Sequence, residues 1–283
     1  MPTVSVIIPA YNRAWVLKGA IDSVLGQDFH DFEIVVVDDG STDNTLEILQ
    51  SHEQICVVRQ DHRGVSAARN AGIARAAGRF ITFLDSDDLW LPGKLSAQID
   101  FFNTHPDALI CQTEEIWVRN GIRVNCKKRH KKYSGMIFEH CLQLCIVSPS
   151  AVMMRRCLFD KIGGFDETLP VCEDYELWLR VACRFPVYLI ETPLVIKRGG
   201  HPDQLSARRC MDRFRIHALR KILESDLLSS RQFSAAEATL KKKCAIYAAG
   251  CLKRGRVMEA NHYMRLSRRF TDQAKSFCGG LDA

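Results

Sequence analysis

The chain has 283 residues, 47% hydrophobic and 25% charged, the composition of an ordinary soluble globular protein, and its length fits one large domain with an appendage or two small domains. No apolar run approaches the roughly 18 residues that a membrane span requires, which excludes a membrane-embedded bundle. The formal charge of +6 is unevenly spread: residues 197–283 carry 19 Lys+Arg against 8 Asp+Glu, while the remainder carries 20 against 25. A mildly acidic front suits carboxylate chemistry, and a strongly basic tail suits an anionic partner.

Met1-Pro-Thr-Val has no basic stretch ahead of its apolar run and no cleavage site, so the opening is read as a strand and not a signal peptide. Twelve cysteines are scattered without a Cys-X-X-Cys pair, although Cys141 and Cys145 are spaced to share a helix face. Reduced thiols in a cytoplasmic protein are expected, rather than disulfides or a zinc site.

In chain order, Val4 to Pro9 predicts a buried strand ending in Pro9-Ala-Tyr-Asn12, and Val16 to Leu25 has helical apolar spacing. Phe32 to Val37 is a second strand that runs into Asp38-Asp39-Gly-Ser-Thr-Asp43. Helix-start residues there lead to a helix over 45–50. A third strand over 55–59 precedes a helix opened by Arg63-Gly-Val-Ser-Ala-Ala-Arg69-Asn70, running to about Ala77 and stopped by Gly78. Phe80 to Leu84 is apolar throughout, as in a strand buried on both faces, and flows into Asp85-Ser-Asp87-Asp88. Pro92 suits the first turn of a helix to about Phe102.

Beyond it, 108–118 predicts a strand with a turn at Asn120-Gly121, and Lys127 to Lys132 an exposed basic loop. A strand follows Ser148-Pro-Ser150, and Glu173-Asp174 opens a helix whose Leu177, Trp178, Val181 and Ala182 form a core-facing stripe. Two short strands are expected at 187–190 and 194–196, then helices from about Gln204, including a pair over 233–253 and 257–270. Ala245, Ala248, Ala249 and Leu252 fit one face of the first of that pair, with Lys241 to Lys243 and Lys253-Arg254 at its ends. Strands alternating with helices predict an α/β fold, a mostly parallel sheet between two helical layers.

Three strand ends of one polarity then carry polar or acidic clusters, and in a parallel sheet they share an edge, where open α/β sheets bind their ligands. Asp85 and Asp87, two apart, lie on the same side of an extended backbone and suit a hard divalent cation completed by substrate phosphates. The competing reading is an acidic turn that caps the next helix, as for Asp38 and Asp39.

The order Val6-Ile-Ile-Pro-Ala-Tyr-Asn12, Val36-Val-Asp-Asp-Gly-Ser-Thr-Asp43, Gly64-Val-Ser-Ala-Ala-Arg-Asn-Ala-Gly72, Leu84-Asp-Ser-Asp-Asp88 and Glu173-Asp174 resembles family 2 glycosyltransferases, inverting enzymes of the GT-A fold, over about residues 4 to 200. The resemblance implies a catalytic domain over 1–203 and a basic helical extension over 204–283. It implies a nucleotide-sugar pocket formed by Pro9, Ala10, Tyr11, Asn12, Asp38, Asp39, Arg69, Asp85 and Ser86, with the Tyr11 ring against the base and Asp39 accepting from a uracil-type imide. Asp87, with Asp85 and His201, would hold Mg2+ or Mn2+. Asp174 would be the general base, with Glu173 as the fallback. The implied partners are a nucleotide sugar, most simply a UDP-sugar, and a glycan or lipid-linked acceptor of cell-surface polysaccharide synthesis. No nucleic acid is expected. An anionic membrane, at the inner face of the cell, is the candidate partner of the basic tail, with a solvated helical extension as the plainer account.

The chain lacks a Gly-X-Gly-X-X-Gly loop after its first strand and a phosphate loop ending in Gly-Lys-Ser/Thr, which removes dinucleotide-binding and P-loop enzymes. A polyprenyl-phosphate glycosyltransferase and a catalytically silent nucleotide-sugar-binding protein are the alternatives.

Overall fold

The computed structural model describes residues 1–205 and 210–270. Its elements are β1 (Val4–Ala10), α1 (Leu17–Leu25), β2 (Phe32–Asp38), α2 (Thr45–Gln50), β3 (Ile55–Arg59), α3 (Val65–Arg75), β4 (Phe80–Phe83), β5 (Leu89–Trp90) and α4 (Lys94–Thr104). There follow β6 (Ile110–Arg119), β7 (Ile122–Val124), α5 (Phe138–Cys141), β8 (Val152–Arg155), α6 (Cys157–Ile162), α7 (Glu173–Ala182), β9 (Tyr188–Gly199), α8 (Met211–Leu223), α9 (Ser230–Leu252) and α10 (Val257–Arg269). One sheet runs in the order β3-β2-β1-β4-β8-β6-β9-β5, with β7 paired to β6.

The first half of the sheet is parallel: β1 pairs with both β2 and β4, and β2 with β3. The second half is mixed, since β8 runs antiparallel to β4 and β6 while β6 and β9 are parallel. β1 is buried along its whole length. Alternate residues supply opposite faces. Ile7, Val35, Val37, Ile81 and Phe83 enter a core with α3 and α7. Val6, Ile8, Ile34 and Val36 enter another with α1 and α4. Burial on both faces is why these strands are uninterrupted apolar runs.

Several local expectations are corrected. The segments at 187–190 and 194–196 are one strand, β9, whose ladder with β6 shifts register at Thr113/Glu114 and Glu114/Glu115, opposite Pro193. Proline has no N–H to give the ladder, so it sits at an irregularity and does not end the strand. Lys132 is buried, not exposed with its basic neighbours: its ammonium donates to the Thr113 carbonyl at 2.7 Å and lies 3.3 Å from the Glu115 carboxylate. In α9 the buried face is Ala236, Leu240, Cys244, Tyr247, Ala248 and Cys251, whereas Ala245, Ala249 and Leu252 face solvent. Cys145 lies beyond the single turn of α5 that ends at Cys141, and all eleven described cysteines are free thiols. Buried residues of α8, α9 and α10 belong to the same core as α3 and α7. The expected extension over 204–283 includes 206–209 and 271–283, which lie outside the described residues.

Helix α3 ends at Arg75, and Ala76 is already extended. Gly78 therefore has another task. A Cβ on it would stand 2.6 Å from the Ser5 backbone nitrogen, and its own N–H donates to the Ser5 hydroxyl at 2.8 Å. Gly78→Ala should destabilise the fold by about 1–3 kcal/mol, the usual cost of forcing an extra carbon into a packed interior. Denaturant unfolding measures it, and an unshifted midpoint would contradict this account of the glycine.

Candidate functional site

The strand register sets the site. Ala10 pairs with Asp38, and the Asp39 N–H donates to the Ala10 carbonyl at 2.8 Å. The Leu84 N–H donates to the Ile7 carbonyl at 3.0 Å, so the loops after β1, β2 and β4 leave the sheet along one edge. A cavity of about 710 Å3 opens there. Pro9, Ala10 and Tyr11 line it beside Asp39, with Arg69, Asp85, Ser86 and Asp87 along one wall and Glu173, Asp174 and His201 around the rest.

Asn12 and Asp38 lie behind that wall. Asn12 is in the left-handed region, with φ of 53°, and its side-chain oxygen accepts the Thr42 N–H at 2.8 Å, which shapes the loop after β2. Asp38 is fully buried, accepts the Ser41 N–H at 3.0 Å and pairs with Arg59 at 3.3 Å. Both fix the turn that presents Asp39.

Asp39 is itself saturated with donors. One carboxylate oxygen takes Gln60 Nε2 at 2.6 Å and the Arg63 N–H at 2.9 Å. The other takes the Gly64 N–H at 2.8 Å and lies 2.8 Å from His62 Nδ1. The His62 ring stacks on Tyr11 at 3.8 Å. The two backbone bonds hold the carboxylate still, whereas His62 and Gln60 are side-chain donors that a rotamer change can withdraw.

Arg69 is 3% exposed, not a solvated helix residue. It donates through Nη1 to Glu173 at 2.6 Å and through Nη2 to Asp85 at 2.7 Å, and its guanidinium lies 5.1 Å from the Phe165 ring centroid. Burial alone would lower its pKa, but the two carboxylates outweigh it and drive the pKa upward. Burial raises Glu173 above the usual carboxylate range, with Arg69 opposing. The rest of the α3 motif fastens the neighbouring loop. Asn70 exchanges hydrogen bonds with the Phe165 backbone at 2.9 and 2.8 Å, and Gly72 leaves room for Ile7.

In the acidic loop the Asp88 N–H donates to the Asp85 carbonyl at 2.9 Å, and the Asp88 side chain accepts the Ser150 hydroxyl at 2.7 Å and the Arg198 N–H at 2.9 Å. Burial pushes the Asp88 carboxyl up to about 8, against the pull of Lys197. Asp87 meets His201 Nε2 at 2.7 Å, and the other His201 nitrogen meets Asp203 at 2.6 Å, which in turn pairs with Arg13. Asp87 and Asp85 keep side-chain exposures of 20% and 26%. Among the described residues no three His, Cys, Asp or Glu side chains form a metal cluster by themselves. The donor set nevertheless fits a hard cation that takes one or two carboxylates and completes its shell with phosphate and water.

Asp174 accepts from the Cys145 thiol at 3.3 Å and lines both this cavity and an adjoining one of about 320 Å3. Sequence reasoning missed Lys197 and Arg198, which also line both, and Ser150, whose hydroxyl anchors the acidic loop through Asp85 and Asp88. Ser148-Pro-Ser150 was their only local signal, since β9 places Lys197 and Arg198 more than 100 residues from Asp88.

The family model described as glycosyl transferase family 2 matches residues 5–163. An uncharacterized glycosyltransferase of Rickettsia prowazekii is 32% identical over 209 residues, covering 72% of this chain and 65% of that protein. A putative teichuronic acid biosynthesis glycosyltransferase, TuaG of Bacillus subtilis, is 43% identical over 160 residues, covering 55% of this chain and 63% of that protein. The Escherichia coli UDP-Glc:alpha-D-GlcNAc-diphosphoundecaprenol beta-1,3-glucosyltransferase WfaP is 32% identical over 64% of this chain and 70% of its own length. The chain thus spans somewhat under two thirds of the Rickettsia prowazekii and Bacillus relatives. Among solved structures, Staphylococcus aureus TarS 1-349 with UDP-GlcNAc superposes with a TM-score of 0.68 at 22% identity, over 86% of this chain and 72% of that one. The mannosyltransferase PcManGT of Pyrobaculum calidifontis, solved with GDP-Man and Mn2+, gives 0.58 at 18% identity, over 95% and 86%. Both share the GT-A fold.

Arg69→Leu should cost about 3–5 kcal/mol, because it strands Glu173 as an unpaired buried carboxylate. Adding Glu173→Gln should recover part of that loss. Denaturation of the two single variants and the double variant checks this, and strictly additive losses would show that the pair is not coupled.

Proposed function

Because the chain belongs to glycosyl transferase family 2, we propose that it moves a sugar from a nucleotide sugar, of uridine type, to a hydroxyl of a glycan or lipid-linked acceptor in cell-surface polysaccharide synthesis, with inversion at the anomeric carbon. One observation carries the reading: Asp39, the Asp85-Ser86-Asp87 loop and Asp174 border a single cavity, and Asp174 also borders the space beyond it. The names of TuaG and WfaP and the nucleotide sugar in TarS support the same class of donor and acceptor.

In this reading Tyr11 takes the base on its ring and Asp39 accepts the imide N–H. Arg69 holds Asp85 beside the ribose and diphosphate, over Pro9, Ala10 and Ser86. Asp87, with Asp85 and His201, would hold Mg2+ or Mn2+, which when bound offsets charge on the departing diphosphate as a Lewis acid. Glu173 is committed to Arg69, which leaves Asp174 as the base. The acceptor hydroxyl gives its proton to Asp174 as its oxygen bonds to the anomeric carbon and the bond to the diphosphate breaks, releasing the nucleoside diphosphate.

Nucleotide release from a panel of nucleotide sugars, with Mn2+ and with EDTA, tests the assignment. Asp87→Ala should abolish metal-dependent turnover. Asp174→Asn should keep UDP binding but lose transfer by about 10²-fold or more, the scale of a general base. A loss confined to donor affinity would make Asp174 structural, and a product of retained configuration would remove the single-displacement mechanism.

No described helix is long and apolar enough to cross a membrane. For the basic tail the reading is peripheral docking on an anionic membrane, at the inner face of a cytoplasmic enzyme, through the turn between α9 and α10. Leu252, Val257 and Met258 are 48%, 53% and 78% exposed there, flanked by Lys253, Arg254 and Arg256. Of the 241–243 run, Lys241 pairs with Glu237 at 2.8 Å and Lys243 is buried against the Gln143 carbonyl, which leaves Lys242 exposed, so the basic surface centres on the turn. Interfacial apolar residues with basic flanks bind anionic vesicles at about 1 kcal/mol per cation. Deleting 204–283 would remove core residues, so point variants are the fair test. Sedimentation with anionic but not neutral vesicles, reversed by salt and lost in Val257→Ser/Met258→Glu, is the expected result. No sedimentation at low salt would leave the turn merely solvated.

A further inference from the structure

The smaller cavity behind Asp174 has a strong charge bias. Its described lining contains Arg119, Arg129, Lys132, Lys197, Arg198 and Arg215 against only Glu115 and Asp174 as carboxylates. Lys132 and Glu115 neutralise each other at 3.3 Å, and Lys197 is held by the Ser148 hydroxyl at 2.9 Å in the field of Glu115 and the acidic loop. The arginines are left over. Arg198 spends Nε on the Asp87 carbonyl, yet its buried Nη2 has no partner among the described residues. Arg215 contacts Asp212 at 3.2 Å through Nη1, and its buried Nε is likewise unpartnered. A buried N–H without an acceptor costs free energy that a ligand oxygen recovers.

From this juxtaposition we propose that the cavity is an acceptor subsite for a phosphoryl group, in which Arg119, Arg198 and Arg215 bind a phosphate or diphosphate ester carried by the acceptor beside its reacting hydroxyl. The proposal rests on the glycosyl-transfer reading for the word acceptor. Guanidinium forks match phosphate oxygens two at a time. Several cations facing one carboxylate, once Lys132 and Glu115 cancel, call for more than one negative charge. The cavity joins the donor cavity at Asp174, Lys197 and Arg198, so a phosphate here lies on the far side of the base from the departing nucleotide. Trp117, 5.0 Å from the His130 ring, gives the same wall an apolar face on which a sugar can rest.

The test is calorimetric binding to the full chain saturated with UDP, which blocks the donor cavity. The probes are octyl diphosphate, methyl phosphate, octyl β-glucoside and octyl β-glucuronide. Octyl diphosphate should bind at least tenfold tighter than the glucoside, and salt should weaken it. Arg119→Gln/Arg215→Gln should remove at least tenfold of that affinity while UDP affinity stays unchanged, since neither arginine lines the donor cavity. Arg119 is exposed, so Arg119→Gln alone gives a version of the test that folding cannot confound. Methyl phosphate as tight as octyl diphosphate points to a soluble phosphate ester, and a clear preference for the octyl compound points to a lipid-linked one; either supports the subsite. Failure of octyl diphosphate to bind the wild type, full affinity in the double variant, or equal binding of the glucuronide overturns it. Failure of UDP to bind overturns the donor reading instead.

Discussion

The buried guanidinium of Arg69 is the constraint on which the site depends. A charge this deeply buried is tolerated only with paired and hydrogen-bonded partners, and Arg69 has one on each side, Asp85 and Glu173. Those partners come from β4's exit and α7's start, segments 88 residues apart in sequence that Arg69 bridges directly. Asn70 and Ser66, on the same helix, fasten the 165–169 loop that leads into α7. Helix α3 is thus a clamp more than an amphipathic layer, which explains a composition of alanine, glycine and polar residues that packs closely against β1.

Each acidic pair is split, two of them by this clamp and the Asp38-Asp39 pair by Ser41 and Arg59. Asp38 stabilises its turn, and Asp39 faces the cavity. Asp85 is tied to Arg69, and Asp87 points to His201. Glu173 is tied to Arg69, and Asp174 stands between the two cavities. In each case one carboxylate is held by the fold away from or along the cavity wall, and its neighbour borders the cavity on a fixed backbone. Asp88 does the same for the whole acidic loop, binding it to Ser150 and to the Arg198 backbone. A single Asp→Ala change at an immobilised member would therefore disturb geometry first and chemistry second, and the two kinds of carboxylate should not be read alike from loss of activity alone.

The N-terminal half was legible because its signals are local. Apolar runs of β1, β2 and β4 mark buried parallel strands, and polar clusters at their ends mark the edge of the sheet. The residues alone do not show which carboxylate of each pair is spent on the fold, since that depends on Arg59, Arg69 and Ser150 arriving from elsewhere; the choice of Asp39, Asp87 and Asp174 comes from the family resemblance. The basic run at 127–132 read as one exposed loop because nothing local distinguishes Lys132, whose burial requires Glu115 on a strand before it. The helical face chosen for α9 failed for a related reason. Small alanines fit any face, and the buried side was decided by Leu240, Cys244 and Tyr247 meeting the rest of the core.

The C-terminal helices matter to the site for the same reason that they are integral to the core. Helix α8 packs on α7, which begins with Glu173 and Asp174, and the same helix contributes Met211 to both cavities and Arg215 to the smaller one. The Lys243 ammonium of α9 reaches the Gln143 carbonyl, bracing the segment that carries Cys145, the donor to Asp174. The position of Asp174 thus rests on two supports: Arg69 through Glu173 on the donor side, and the α8–α9 packing on the other. A change in the tail that loosened α8 would shift the wall of the smaller cavity while leaving Asp39 in place, because Asp39 is held by backbone hydrogen bonds to Ala10, Arg63 and Gly64.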